Sequence, residues 1–309
     1  MEHMSKATGF GLVLIAAIMI GVGFLIFGPV PRPMPVPQQG GQTLRVVAAE
    51  NFWGSIVSQL GGDHVTVLSI VSDPNADPHE YESTASDARA VATANYVVMN
   101  GAGYDSWMNK LIGANPNAER KVLDVSALLG KKPGDNPHFW YSPGYVDQAA
   151  ARMEQDLAAL DPAHAAYYEA RYRALQTSFA EYQGRIAAIH EQFGGTQVAA
   201  TEDIFTYLAD AAGLDLVSPP AFMSAVAEGN DPSSASVIAF EDQLRSGQVK
   251  VLVYNKQTIT PLTDSLRQLA VEQGIPVVAI TETIQPPTLS YQDWMNGEVT
   301  DLQNALMMK

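Results

Sequence analysis

The sequence predicts an α/β protein of two lobes, each a mostly parallel sheet flanked by helices, joined by a long spine helix and preceded by an N-terminal transmembrane anchor. Three observations predict it. Short β-branched runs alternate with helical patterns on both sides of the middle of the chain, as parallel βα units require. Between them, from about Tyr145 to Phe193, the pattern is helical almost throughout. From Ala7 to Pro31 no residue is charged.

Taken in order, a short tail (residues 1–8) leads into GFGLVLIAAIMIGVGFLIFG, apolar and long enough for an uncleaved signal anchor over residues 9–30. No cysteine is available to carry a lipid instead. The stretch PVPRPMPVPQQGGQ follows, its five prolines stiffening a spacer that ends near residue 43. The first lobe, 44–144, reads as strand LRVVAAE, helix FWGSIVSQLGG, strand HVTVLSIV, the loop SDPNADPHEYEST, helix SDARAVATA, strand YVVMNG, a helix over Trp107 to Ile112, strand KVLDVS and the loop GKKPGDNPHFWYSP. The linking region, 145–194, breaks at Leu160-Asp161-Pro162, where Asp161 suits an N-cap and Pro162 a first helical position. A helix from Pro162 to Phe193 spans about 45 Å at 1.5 Å per residue. The second lobe, 195–309, has strands QVAATE, DLVSP, VKVLVYN and PVVAITE. Its helices are DIFTYLADAAG, SASVIAFEDQLRSG, PLTDSLRQLAVEQG and a last one over Trp294 to Met307.

Composition narrows the function. Hydrophobic residues make up 47% and charged residues 17%, enough apolar content to fold. A formal net charge of −15 leaves no basic surface to neutralise phosphates, which argues against a nucleic-acid partner. The absence of cysteine removes thiolate metal sites, disulfides and cysteine nucleophiles. Any metal is therefore held by nitrogen and oxygen.

In open α/β sheets, ligands collect beyond the carboxyl ends of the strands. Four metal-capable residues stand there, two per lobe. His79 in DPHEYE and His138 in NPHFW each follow a proline, which fixes the backbone ahead of the imidazole. Glu202 closes QVAATE and Glu282 closes PVVAITE. Two neutral imidazoles and two carboxylates suit Mn²⁺, Zn²⁺ or Fe²⁺. Asp77 and Asp135 read as turn formers. His3 falls in the tail, His64 at a strand start, and His164 and His190 on the spine, so these four read as structural or surface residues. Glu80, Glu82, Trp140 and Tyr141 are placed to line the cleft.

At DPHEYE, NPHFW, the TED-I-F-TYLADAAGL segment and GIPVVAITET, the sequence resembles the metal-specific solute-binding proteins of zinc and manganese ABC importers, the cluster A-I family with a long-helix spine. The resemblance runs from about Leu44 to Leu306. It implies metal ligands at His79, His138, Glu202 and Glu282. The last of these stands where the family typically has aspartate. It further implies a divalent metal as cargo, an ABC permease in the membrane as partner, a monomer outside the cytoplasm, and no enzymatic activity. The glutamate at the third position, and the lack of a His-rich loop between His79 and His138, resemble the manganese members more than the three-histidine zinc members. The alternatives are a secreted metallohydrolase, which needs an open coordination position and a general base, and a surface adhesin with incidental metal.

Overall fold

Leu44–Glu50 forms β1, Val65–Val71 β2, Tyr96–Met99 β3 and Lys121–Asp124 β4, all parallel, in the order β2-β1-β3-β4. Gln197–Ala200 (β5), Asp215–Leu216 (β6), Leu252–Asn255 (β7) and Val277–Ile280 (β8) repeat that order as β6-β5-β7-β8, again parallel. The computed structural model describes residues 43–308 except 75, 77 and 80. The expected anchor over 9–30 and nearly all of the spacer lie outside the described residues. Among the described residues, no helix is long and apolar enough to cross a membrane.

Helices Asn51–Gly61 (α1), Ala85–Thr93 (α2), Ser106–Ala114 (α3) and Val125–Leu128 (α4) accompany the first sheet. KVLDVS is shorter as a strand than expected. It stops at Asp124, whose carboxylate accepts from the Ala127 amide and caps α4. The linking region is α5, Pro143–Leu160, followed by α6, Ala165–Phe193. The spine is thus shorter than expected, because Pro162–His164 is a 3₁₀ turn. Asp161 gives that turn no side-chain cap; its carboxylate is taken by His164 and Tyr168 instead.

Around the second sheet lie Thr206–Ala211 (α7), Pro220–Ala227 (α8), Ser234–Arg245 (α9), Pro261–Glu272 (α10) and Tyr291–Met307 (α11). Helix α8 was not expected. Pro220 occupies a first-turn position there, where a missing N–H costs nothing.

Alternation along the strands assigns their two faces. Val47, Ala49, Val97 and Met99 face an outer core with Val91, Trp107 and Met108. Ala199, Leu252, Phe222, Phe240 and Leu266 form the counterpart on the second sheet. The inner residues Val46, Ala48, Val98, Val198, Ala200, Val253 and Ile280 share one core with α6. Helix α6 buries Tyr168, Leu175, Phe179, Tyr182, Ile186 and Ile189 as a single stripe, and α1, α5 and α11 pack along it. Both sheets and the spine therefore hold each other through one continuous apolar interior.

Candidate metal centre

Each candidate donor leaves the carboxyl end of a strand. Glu202 lies two residues beyond β5 and Glu282 two residues beyond β8, so both strands end earlier than the expected QVAATE and PVVAITE. His79 and His138 come from the loops after β2 and β4. His138, Glu202 and Glu282 are buried, whereas the His79 side chain keeps 27% of its surface. One donor atom from each of His79, His138 and Glu282 lies within 4.8 Å of the others. Glu202 falls outside that tight set but joins it through Asn255, whose side-chain N–H groups donate to Glu202 Oε2 at 3.0 Å and Glu282 Oε1 at 2.6 Å.

The hydrogen bonds around His138 fix its chemistry. Asn136 Nδ2 donates to the Asp203 carbonyl at 2.7 Å, so the Asn136 oxygen must face the other way. That oxygen lies 2.8 Å from His138 Nδ1 and is an acceptor only, so Nδ1 carries the proton. In the neutral ring Nε2 then keeps its lone pair; it is buried and, among the described residues, has no hydrogen-bond partner. A buried bare imidazole nitrogen beside carboxylates is the form a metal ligand requires. Asp203 Oδ1 stands 3.3 Å from Nδ1. Burial alone would lower the His138 pKa, but Asp203, Glu282 and Glu202 outweigh it and hold the pKa above its ordinary value.

The carboxylates are held as firmly. Tyr104 donates to Glu282 Oε2 at 2.8 Å from the other half of the molecule, and Thr258 donates to Glu202. Tyr104 reaches the site because the chain turns sharply after β3. Gly101 (φ 81°), Ala102 (φ 55°) and Gly103 (φ 96°) are all left-handed, and the Asp105 carboxylate accepts from the Asn100 and Gly101 amides at 2.6 and 2.8 Å. A Cβ on Gly101 would lie 2.1 Å from Asp124 Oδ1. Burial, then the negative charge of Glu282, pushes the Glu202 carboxyl up to about 7. Burial likewise drives Glu50, at the end of β1, well above its ordinary range, with Asp105 adding to it. Such packing of buried acids costs on the order of several kcal/mol per ion unless a cation compensates.

Cross-links between the halves surround the site. Asn51 exchanges two hydrogen bonds with the Ile284 backbone, at 3.2 and 3.0 Å. The Tyr141 hydroxyl lies 2.7 Å from the Thr281 carbonyl and 2.5 Å from Glu298 Oε2, and Tyr291 donates to the Trp140 carbonyl at 2.6 Å. The Tyr141 hydroxyl is thus engaged beside Glu282, at the carbonyl of Thr281 and at Glu298. The Trp140 ring does flank His138, with centroids 5.2 Å apart. Glu82 is exposed, and Glu80 and Asp77 lie outside the described residues. A cavity of about 210 Å³ leads outward from His79 and His138 past Asp203 to Ser224 and Glu228.

Sequence reasoning missed Asn255, Asn136 and Tyr104. Asn255 closes VKVLVYN at a strand end like the other donors, but an amide is not a metal-ligand signal.

Two like sheets with imidazoles and carboxylates converging where they meet define a metal-binding solute-binding protein. The chain belongs to the family described as ZnuA, zinc-uptake complex component A, periplasmic, whose model matches residues 46–305. It is 26% identical over 217 residues to the manganese-binding lipoprotein MntA of Halalkalibacterium halodurans, covering 67% of this chain and 68% of that protein. It is 31% identical over 142 residues to the manganese ABC transporter substrate-binding lipoprotein PsaA of Streptococcus mitis, covering 42% of this chain but only 46% of that relative. Among solved structures, the manganese-bound periplasmic metal binding protein of Candidatus Liberibacter asiaticus shares the fold. The TM-score is 0.72 at 20% identity, over 85% of this chain and 100% of that one.

Proposed function

We propose that this chain captures one divalent transition metal at His79, His138, Glu202 and Glu282, outside the cytoplasm, and passes it to an ABC permease. The observation that carries the reading is the bare, buried Nε2 of His138, grouped with His79 and Glu282. On this reading lobe 44–144 supplies both imidazoles and lobe 195–309 both carboxylates, with 145–194 linking them. The ion neutralises two adjacent buried carboxylates and bridges the lobes, so binding favours the closed state. The spine and the cross-links resist wide opening, and the permease supplies the force that separates the lobes. Residues 9–30 anchor the monomer to the membrane. Two carboxylates favour Mn²⁺ as the physiological cargo over the softer Zn²⁺, although Zn²⁺ binds such donors more tightly on intrinsic grounds.

Glu202 separates capture from hydrolysis. As a fourth ligand it closes the coordination sphere; as a free base beside a three-ligand metal it would serve a hydrolase. The test is elemental analysis of natively purified protein, competition between Mn²⁺ and Zn²⁺, and turnover assays on esters, phosphates and peptides. One retained metal and no turnover are expected. Loss of neither metal binding nor metal-limited growth in His79→Ala/His138→Ala would overturn the reading.

A further inference from the structure

A second group of nitrogen and oxygen donors lies away from the cleft, where the first sheet meets the foot of α6. His64 ends the 3₁₀ turn Gly62–His64 ahead of β2; it precedes the strand and does not open it. Asp161 precedes the 3₁₀ turn ahead of α6, and His164 ends it. One ligand-capable atom from each of the three lies within 4.8 Å of the others. The imidazoles of His64 and His164 stack with centroids 3.8 Å apart and planes 25° apart.

Asp161 supplies the charge. Its Oδ2 lies 2.7 Å from His164 Nδ1 and accepts from the Tyr168 hydroxyl at 2.8 Å. The carboxylate–imidazole pair has the contact that a metal replaces when it displaces the shared proton. With tetrahedral metal–ligand bonds of about 2.0–2.2 Å, the two atoms need only separate to roughly 3.4 Å.

The donors sit on rigid supports. Gly62 has φ 50°, and a Cβ there would lie 2.1 Å from the Tyr167 hydroxyl, so the turn packs directly on α6. The Tyr167 ring meets His64 edge-on at 4.6 Å. Asp161 and His164 retain 23% and 33% of their side-chain surface, so an ion from solvent can reach them.

We propose that His64, Asp161 and His164 form a second divalent transition-metal site, distinct from the cleft, that clamps the first sheet to the base of the spine helix. Three protein donors leave one position for water, a set suited to Zn²⁺. The site is neither the cargo site nor part of the closing seam between the sheets.

The test is Zn²⁺ titration of the full chain by calorimetry, with bound metal counted by elemental analysis. The expected result is that wild type binds one equivalent more than His64→Ala/His164→Ala. That difference stands whether or not the cleft binds metal. The variant His138→Ala, which leaves this group intact, is expected to keep an equivalent that disappears when His64→Ala and His164→Ala are added. Should the double alanine variant unfold, His164→Asn with a circular-dichroism melt gives the same comparison: Zn²⁺ raises the melting temperature of His138→Ala but not that of His138→Ala/His164→Asn. Equal stoichiometry in wild type and the double variant, or an unchanged Zn²⁺ shift on His164→Asn, would overturn the proposal.

Discussion

The oxygen of Asn136 lies 2.8 Å from Nδ1 of His138, and this one contact decides which imidazole nitrogen looks into the cleft. Removing it frees the ring to adopt the other tautomer and to rotate. Asn136→Ala is expected to weaken metal binding about 10–100-fold, the range typical of lost partners behind metal ligands. Competition with a chelator of known affinity measures this, and a change under threefold would count against a ligand role for His138.

At the proposed ligands, protons would compete with metal for the carboxylates. If Glu202 is a ligand as proposed, then with burial and Glu282 pushing its carboxyl up to about 7, metal affinity should rise about tenfold per pH unit up to about 7 and then level off. The sign for the metal-free protein is opposite. Its folded pKa is raised above the ordinary 4.5, so the folded state binds more protons than the unfolded state between pH 4.5 and about 7. Glu202 therefore contributes most to stability below that window, and its contribution is lost as pH rises through it. Denaturant titrations of metal-free wild type and Glu202→Gln across this range should converge at low pH and diverge above 7.

Asn255 separates two carboxylates that would otherwise repel. In Asn255→Ala both lose a donor, and the metal-free protein should be destabilised by about 1–3 kcal/mol. Saturating Mn²⁺ should recover part of that loss, because the ion then neutralises both groups. Thermal melts with and without Mn²⁺ read the difference, and a variant equally destabilised in both would contradict the bridging role.

Phe179 lies in the stripe that α6 presents to the shared core. Phe179→Ala should cost about 3–5 kcal/mol of stability while leaving metal stoichiometry at the cleft unchanged. Paired urea unfolding and metal analysis test both halves of this statement.

What could be read in the sequence follows from where the physical signals are local. The strands and most helices show through their periodicity, and His79 and His138 stand out because proline fixes the backbone before each. The structure brings these two histidines together with Glu282 and ties Glu202 to the group through Asn255. Other features have no local signature. Tyr141 meets Glu298, and Asn51 meets Ile284, across most of the chain's length. Helix α8 hides behind two prolines, and Tyr104 enters the site only because three consecutive left-handed residues turn it there. His64, His164 and Asp161 look ordinary when read singly, since their turns are brought together by the packing of α6 on the first sheet.

The single interior shared by both sheets and α6 has a mechanical consequence. A clamshell opens cheaply because a thin joint bends while two independent bodies stay intact; here the bodies are not independent. Prising the sheets far apart would tear a common packing layer, so the stiffness that preserves the donor geometry would, on the proposed function, also slow unassisted escape of an ion. On that reading the molecule would act as a sprung clasp, with its return force distributed along the spine.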